Sequence, residues 1–336
     1  MDVEEFSGLP KIELHCHLDG CVRLETARQI AVLRNVPLPP RIEDALIAPP
    51  VCEDLADYIR RIDFALSVMQ QEEDLARIAE ELVETWAADG VVYGEARFAP
   101  QLHRRNGLTL QQVLDAVHAG LSSGKRRHGV DFGLIVCCLR HETEAQSLDL
   151  ARLAVDNMDK VCALDLAGDE QRFDARAHQK AFTLARDAGL HRTAHAGEAA
   201  GPGSVRQALD LLGAERIGHG ARVAESAPLA QEMAERQIAL DMCPTSNVQT
   251  RCVPSLRAHP ITRLLAQGVP VTVSTDAHTS SNTSVSAEFE VLSRELGWNQ
   301  AEFLACQKNA VNAAFISHAE RRTLAQRLNL DALSSA

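Results

Sequence analysis

The chain has 336 residues, of which 46% are apolar and 24% are charged, a composition typical of a folded globular protein. Its net charge of −12 argues against a surface that binds nucleic acid or an anionic membrane, so we expect neither as a partner. The absence of an apolar run of about 18 residues, of a leader peptide and of CxxC pairs among nine cysteines predicts a cytoplasmic protein with reduced thiols.

Short apolar runs rich in β-branched residues recur along the chain and alternate with amphipathic stretches. We predict eight strands, at 11–18, 91–100, 131–140, 160–168, 191–198, 216–223, 237–244 and 269–276. Helical stretches separate most of them, and several of these end in glycine. Eight strand–helix units predict a (β/α)8 barrel, formed by a single domain over 1–336. A doubly wound sheet would need fewer strands or a second domain.

Two segments of the sequence are additional to the eight strand–helix units of a barrel. Residues 35–88 are too long for one connection and predict more than one helix after the first strand, at the catalytic mouth of a barrel. Tyr58, Phe64 and Met69 in this segment could line a lid, although the pattern favours core-facing positions. Further helices are predicted after residue 284, at the C-terminal end of the chain.

Polar side chains fall where the predicted strands end, which is where barrel enzymes place their chemistry. Four of the 13 histidines lie at such ends, two on the first strand and one each on the fifth and sixth. The residues in question are His15, His17, Asp165, Gly168, His195, Glu198, His219 and Asp276.

The first strand carries a metal-binding pattern. His15 and His17 are two residues apart and therefore point to the same face of a strand, into the barrel, while Cys16 points toward the helices. His195 and Asp276 add a third nitrogen and one oxygen. Three imidazoles and one carboxylate suit Zn²⁺, although an HxH pair alone also fits two core histidines.

The end of the fourth strand bears on the number of metals. Barrel hydrolases with two metals commonly need a modified lysine there, but this end reads "LDLAGDE". Lys160 lies at the opposite, N-terminal end of the strand. We therefore predict one Zn²⁺ per chain.

Two further residues are candidates for proton transfer. Zinc lowers the pKa of a water to about 7, which generates a nucleophile, and His219 is placed to assist it. Glu198 is placed to protonate a heterocycle nitrogen under attack. Each also has a structural interpretation: His219 as a core histidine, and Glu198 as an acid at a helix N-terminus.

The motifs "LPKIELHCHLDG", "DLAGDE", "HAGE", "RIGHG", "CPTSNVQT" and "STD" occur in order along the chain. In this order and spacing, from Leu9 to about Phe315, the sequence resembles the adenosine deaminase family of zinc aminohydrolases. The resemblance implies a barrel with one zinc ion that hydrolyses the 6-amino group of a purine nucleoside to the 6-oxo purine and ammonia.

The resemblance also implies roles for individual residues. His15, His17, His195 and Asp276 look like the zinc ligands, and His17 also lies among the residues that contact substrate. Glu198 resembles the proton donor to ring N1, and His219 the residue that activates the water. Gly168 resembles the glycine whose N–H meets ring N3, and Asp19 the acid that contacts the sugar near its 5′ position. Relatives specific for adenine usually have Glu at the place of Asp19, so Asp19 favours a nucleoside.

Ala277 departs from the family pattern, which has Asp or Asn next to the metal-binding Asp, facing purine N7. A missing donor costs about 0.5–1.5 kcal/mol and weakens recognition at N7 more than catalysis. The alternatives to adenosine are therefore 6-aminodeoxyfutalosine, an intermediate in menaquinone synthesis, and other 5′-modified adenosines. His278 is a candidate for the missing contact.

Two other classes of function remain as alternatives. A different hydrolase with a single metal could use the same barrel, for example on cyclic amides or phosphoesters. A non-catalytic binder of metal or nucleoside would not need both Glu198 and His219.

Overall fold

The computed structural model describes residues 6–330 and shows a parallel eight-stranded sheet in the order β1 to β8. The strands are β1 Lys11–His17, β2 Val91–Phe98, β3 Asp131–Leu139, β4 Ala163–Ala167, β5 His191–Ala196, β6 Arg216–His219, β7 Ala239–Met242 and β8 Val271–Val273. Each strand pairs with the next, as in a (β/α)8 barrel. The predicted barrel is confirmed, and the doubly wound alternative is wrong.

The barrel closes between β8 and β1 at the residues predicted to hold metal. Cys16 and Asp276 form a parallel bridge. The N–H of His17 donates to the carbonyl of Asp276 at 2.7 Å, and the N–H of Asp276 donates to the carbonyl of His15 at 3.1 Å. Backbone closure therefore fixes the first and last strands to each other at the site.

Helices follow most strands and surround the barrel. They are α1 Leu24–Arg34, α2 Ile42–Leu46, α3 Leu55–Ile59, α4 Asp63–Val68, α5 Glu72–Ala88, α6 Leu110–His128, α7 Glu144–Asp156, α8 Gln179–Ala188, α9 Pro202–Asp210, α10 Ala227–Arg236, α11 Pro244–Gln249, α12 Ile261–Ala266, α13 Val285–Leu296, α14 Gln300–Ala313 and α15 His318–Arg327. Thr109 and Thr143 begin α6 and α7 with capping boxes. Gly129 and Gly189 end α6 and α8 with φ of 73° and 82°, which a glycine adopts without strain.

The insertion predicted over residues 35–88 is confirmed as α2 to α5, and α13 to α15 are the helices predicted after residue 284. Met69 is buried, and Phe64 packs against the main core, as the helical pattern favours. Tyr58 differs: its ring lines the cleft at the barrel mouth, and its hydroxyl is 2.6 Å from Ser281 Oγ. One of the three candidate lid residues thus reaches the site.

The main apolar core lies between the barrel and its helices, whereas charged pairs fill part of the barrel interior. Arg97 bonds to Asp165 at 3.0 Å. Arg216 pairs with Asp241 at 2.6 Å and with Glu95 at 2.5 Å. Buried charges of this kind are tolerated when they are paired, so these side chains form a rigid polar layer beneath the site.

The strands end earlier than the sequence pattern predicts, mainly on their carboxyl side. The predicted strand 216–223 ends at His219, and 269–276 contains a regular ladder only over Val271–Val273. His219 and Asp276 have φ of 61° and 67°, a left-handed conformation that breaks a strand. No helix among residues 6–330 is long and apolar enough to cross a membrane.

Candidate active site

A cleft opens at the carboxyl ends of the strands, where barrel enzymes place their chemistry. Seven of the eight residues predicted to hold metal, substrate or protons line it, and the eighth, His15, is fully buried beside them. The seven are His17, Asp19, Gly168, His195, Glu198, His219 and Asp276. The structure therefore brings together residues that are up to 261 positions apart in the chain (276 − 15 = 261).

Four side chains converge as the sequence predicts for a metal site. His15, His17, His195 and Asp276 each present a ligand atom within 4.8 Å of the others. Nε2 of His17 is 3.0 Å from Nε2 of His195, and Nε2 of His15 is 3.3 Å from Oδ1 of Asp276. Four such donors around one point match the ligand number and ligand types that Zn²⁺ prefers.

The hydrogen-bonding state of the buried His15 ring also fits the binding of a cation. Neither ring nitrogen of His15 has a hydrogen-bond partner within residues 6–330, although the residue is fully buried. An unpaired buried polar atom is costly unless a ligand satisfies it. Burial also lowers the pKa of His15 well below its ordinary value, so its ring is neutral and has a lone pair to donate.

Neighbouring side chains orient two of these four side chains. Nδ1 of His195 lies 3.2 Å from Asp165 Oδ2, so the Nδ1 proton is held there and Nε2 presents its lone pair to the site. Despite burial, His195 and Arg97 hold the pKa of Asp165 well below its usual range. Ser246 donates to Oδ2 of Asp276 at 2.7 Å, which leaves Oδ1 facing the histidines.

Gly218 on β6 makes room for His15. A methyl group added at Gly218 would lie 2.8 Å from Cε1 and 3.2 Å from Nδ1 of the His15 ring. We expect Gly218→Ala to displace this ring and to weaken zinc binding by about 10–100-fold, the usual effect of disturbing a neighbour of a ligand. Competition with a chromogenic chelator measures the affinity.

A second glycine provides the matched control for that substitution. Gly203 in α9 has no heavy atom within 4 Å of the position that a methyl group would take. Gly203→Ala should bind zinc as the parent protein does. Equal zinc affinity in Gly218→Ala and Gly203→Ala would contradict the position of His15 in the metal site.

Glu198 is held at the cleft by the loop that follows β5. Both oxygens of Glu170 accept backbone N–H bonds from this loop, at 2.6 Å from Gly197 and 2.9 Å from Glu198, and further bonds come from Ala199 and Ala200. One buried carboxylate thus fixes the backbone that carries Glu198. Burial, with a smaller effect of Asp276, raises the pKa of Glu198 to about 8, so the group carries a proton at neutral pH.

His219 lies at the carboxyl end of β6, with its ring between Glu198 and a buried amide. Nε2 of His219 is 3.5 Å from Oε2 of Glu198, and Nδ1 is 3.0 Å from Nδ2 of Asn247. Burial lowers the pKa of His219. Its left-handed backbone, like that of Asp276, is a strained conformation of the kind that clusters at functional sites.

The rest of the cleft is mainly apolar. Its wall contains the apolar side chains Leu55, Ile59, Ile62, Ala99, Leu102, Leu139 and Ala167, and no Lys or Arg of the described part of the chain lines it. Asp19 is buried, and its Oδ1 has no partner among the described residues. Burial raises the pKa of Asp19 to about 6. This carboxyl group is therefore available to a ligand.

Ala277 lines the cleft, whereas His278 does not. Nε2 of His278 instead donates to Oε2 of Glu13 at 2.8 Å, in a buried pair that Trp86 and Thr275 also join. Although burial opposes it, the Glu13 carboxylate raises the pKa of His278 to about 9. The ring of His278 therefore forms a structural ion pair, and it does not supply the contact to purine N7 that Ala277 lacks.

The structure adds four residues around the site that the sequence analysis did not single out: Glu170, Ser246, Asn247 and His259. Three of them lie inside the motifs "DLAGDE" and "CPTSNVQT" that were used for the resemblance, so the motifs contained a signal for them. His259 lies outside every such motif. Only the fold shows that its ring meets Asn247, at 3.1 Å.

Comparison with known proteins shows which proteins this chain resembles. A family model described as "Adenosine deaminase" matches residues 10–330. An adenosine deaminase of Clostridium acetobutylicum is 36% identical over 330 residues, which cover 97% of this chain and 99% of that protein. The structure of an adenine deaminase from Arthrobacter aurescens superposes with a TM-score of 0.90 at 28% identity, covering 96% of this chain and 98% of that one. An N6-methyl-AMP deaminase from Arabidopsis thaliana gives 0.86 at 27% identity, covering 98% of each chain.

Proposed function

Because the chain belongs to the adenosine deaminase family and is an aminohydrolase, we propose that it catalyses zinc-dependent hydrolytic deamination of adenosine or a related 6-aminopurine nucleoside. The products are the 6-oxo purine nucleoside and ammonia. The observation that carries the proposal is the position of Glu198, a buried carboxyl group that retains its proton, in one cleft with a four-residue metal site.

One zinc ion per chain is part of the proposal. His15, His17, His195 and Asp276 would hold it. When bound, zinc supplies Lewis-acid activation of a water nucleophile at neutral pH. The protein's own contribution is to orient these ligands, through Asp165 and Ser246, before any substrate arrives.

Glu198 supplies the proton that the purine ring needs. Attack at C6 pushes electrons onto the adjacent ring nitrogen N1, so a proton delivered to N1 lowers the barrier. A carboxylic acid with a pKa of about 8 is protonated at pH 7, yet it is still acidic enough to donate. The hydrogen bonds from the loop to Glu170 hold Glu198 in place for this transfer.

The lining of the cleft favours a nucleoside over a nucleotide. Proteins normally bind a phosphate group through Lys, Arg or a helix N-terminus, but among the described residues no Lys or Arg lines this cleft. The N6-methyl-AMP deaminase is named for a nucleotide substrate. We propose that this chain differs from it in the part of the cleft that receives the 5′ group of the substrate. Asp19, which can accept a hydrogen bond from a sugar hydroxyl, fits the same proposal.

Two observations favour a 5′-modified adenosine as the second candidate substrate. Ala277 cannot donate a hydrogen bond to purine N7, so recognition of the base is weaker and the sugar end carries more of the specificity. The apolar wall that includes Leu55, Ile59 and Leu102 can pack against an apolar group on C5′. The candidates are 6-aminodeoxyfutalosine and other adenosines with a 5′ substituent.

A panel of substrates tests the proposed function. It contains adenosine, 2′-deoxyadenosine, 5′-deoxyadenosine, 5′-methylthioadenosine, 6-aminodeoxyfutalosine, adenine and AMP. We expect zinc-loaded protein to release ammonia from at least one nucleoside and to act far more slowly on adenine and AMP. Zinc-loaded protein that converts AMP faster than every nucleoside, or converts no 6-aminopurine, would overturn the proposal.

The protonation of Glu198 predicts a pH dependence. Its pKa is raised to about 8, so the active acid form predominates below that pH and is lost as the pH rises through it. We expect kcat/KM to fall about tenfold per pH unit above about 8. A pH–rate profile measured with the zinc content held constant provides the check, and a rate that rises through pH 9 would contradict the role of Glu198 as the acid.

A further inference from the structure

We propose that Asn247 and His259 are positioning residues that fix the ring tautomer of His219, with its proton on Nε2 and directed into the cleft. The two residues form a buried chain of hydrogen bonds that begins at a backbone N–H and ends at Nδ1 of His219. The kinetic consequence rests on the proposed function, whereas the tautomer itself does not.

The chain of hydrogen bonds begins at a group that can only donate. The backbone N–H of Ile261 points at Nδ1 of His259, at 3.2 Å. A backbone N–H can only donate, so Nδ1 of His259 must be the acceptor and carry no proton. The proton of this imidazole is therefore on Nε2. Burial also lowers the pKa of His259 to about 3, in agreement with a neutral ring.

The next step fixes the orientation of an amide. Nε2 of His259 carries a proton and therefore donates to Asn247, so the atom that faces it, at 3.1 Å, is Oδ1. The amide cannot be turned over, because that would place two N–H groups against each other. Asn247 is fully buried, so its amide does not face solvent.

The last step reaches the site. With Oδ1 turned to His259, Nδ2 of Asn247 donates to Nδ1 of His219 at 3.0 Å. Nδ1 of His219 therefore carries no proton, and the proton of the neutral ring lies on Nε2, which is 3.5 Å from Oε2 of Glu198. His219 thus enters the reaction as a hydrogen-bond donor at the reacting centre. The opposite tautomer would place a lone pair there instead.

Three substitutions separate this role from a merely structural one. Asn247→Asp presents oxygen to both rings, so Nδ1 of His219 should take up the proton and Nε2 lose it. In His259→Asn, the short side-chain amide can still accept a hydrogen bond from the N–H of Ile261. It has no donor at the position of Nε2, so it cannot donate to Asn247. His259→Gln places an amide where Nε2 was and can still donate to Asn247.

The primary test reads the tautomer directly by ¹⁵N NMR of histidine rings in zinc-loaded protein, with the His219 signals assigned by their loss in His219→Gln. We expect the ring of His219 in the parent protein to carry its proton on Nε2, and in Asn247→Asp on Nδ1. A proton on Nδ1 in the parent protein, or an unchanged tautomer in folded Asn247→Asp, overturns the proposal. If Asn247→Asp does not fold, the parent spectrum alone decides.

The kinetic test uses the same variants with the substrate that is turned over fastest. We expect Asn247→Asp and His259→Asn to lower kcat by about 10–100-fold while KM and zinc content change little, and His259→Gln to lose less turnover than His259→Asn. Equal losses in the two His259 variants would overturn the proposal. Protein that turns over no nucleoside contradicts the proposed function, but the NMR result still decides the tautomer.

Discussion

Glu198→Gln should lower kcat by about 10²–10⁴-fold while zinc binding and folding are preserved, because the amide keeps the shape of the side chain but has no acidic proton to give. Glu198 is not one of the four residues whose ligand atoms converge, so zinc should remain. Steady-state rates, together with zinc analysis and thermal unfolding of the same preparations, measure these effects.

The control for this substitution is Glu235→Gln, at an exposed position near the end of α10. It makes the same chemical change at a residue that does not line the cleft and should leave kcat as it is. If Glu198→Gln retained more than about a tenth of the parent kcat with zinc bound, the proton would have to come from elsewhere.

Removal of the metal should have the second large effect. Dialysis against a chelator should lower activity by at least about 10³-fold, because a metal contributes several kcal/mol of charge stabilisation to such reactions. Zinc added back should restore it. Zinc should also stabilise the fold, by about 2.7 kcal/mol at a concentration 100 times its dissociation constant.

A pair of histidine variants tests whether the loss of activity on metal removal depends on the proposed ligands. His15→Ala should bind less than one zinc per chain after dialysis, and added zinc should not restore its activity, since a buried ligand is gone. His318→Ala, at an exposed position on α15, should behave as the parent protein does. Full activity of metal-free parent protein would contradict the metal site as a whole.

The sequence was sufficient to predict the barrel and the convergence of the candidate site residues, for identifiable reasons. The spacing of His15 and His17 places both rings on one face of a strand wherever that strand lies in the sheet. Parallel strands of a barrel all end at one rim, so His195, His219 and Asp276 could be assigned to the same place without knowledge of the loops.

What the sequence could not predict depends on loop conformation and on pairs far apart in the chain. Glu170 binds the loop at Gly197 across 27 positions, and His278 meets Glu13 across 265. Strand alternation alone would place His278 on the same face as Asp276, but the left-handed backbone at Asp276 breaks that alternation. The helical spacing of apolar residues is the same whether a side chain such as that of Tyr58 faces a core or a ligand cleft.

The origin of the product oxygen tests the central proposal most directly. Zinc-loaded protein is incubated with adenosine or a 5′-modified adenosine in ¹⁸O-enriched water, and the product is analysed by mass spectrometry while ammonia is measured in parallel. Hydrolytic deamination predicts one ¹⁸O atom in each 6-oxo product and one ammonia released per product formed. A nucleoside panel left unchanged by zinc-loaded protein, or a product without the label, would contradict it.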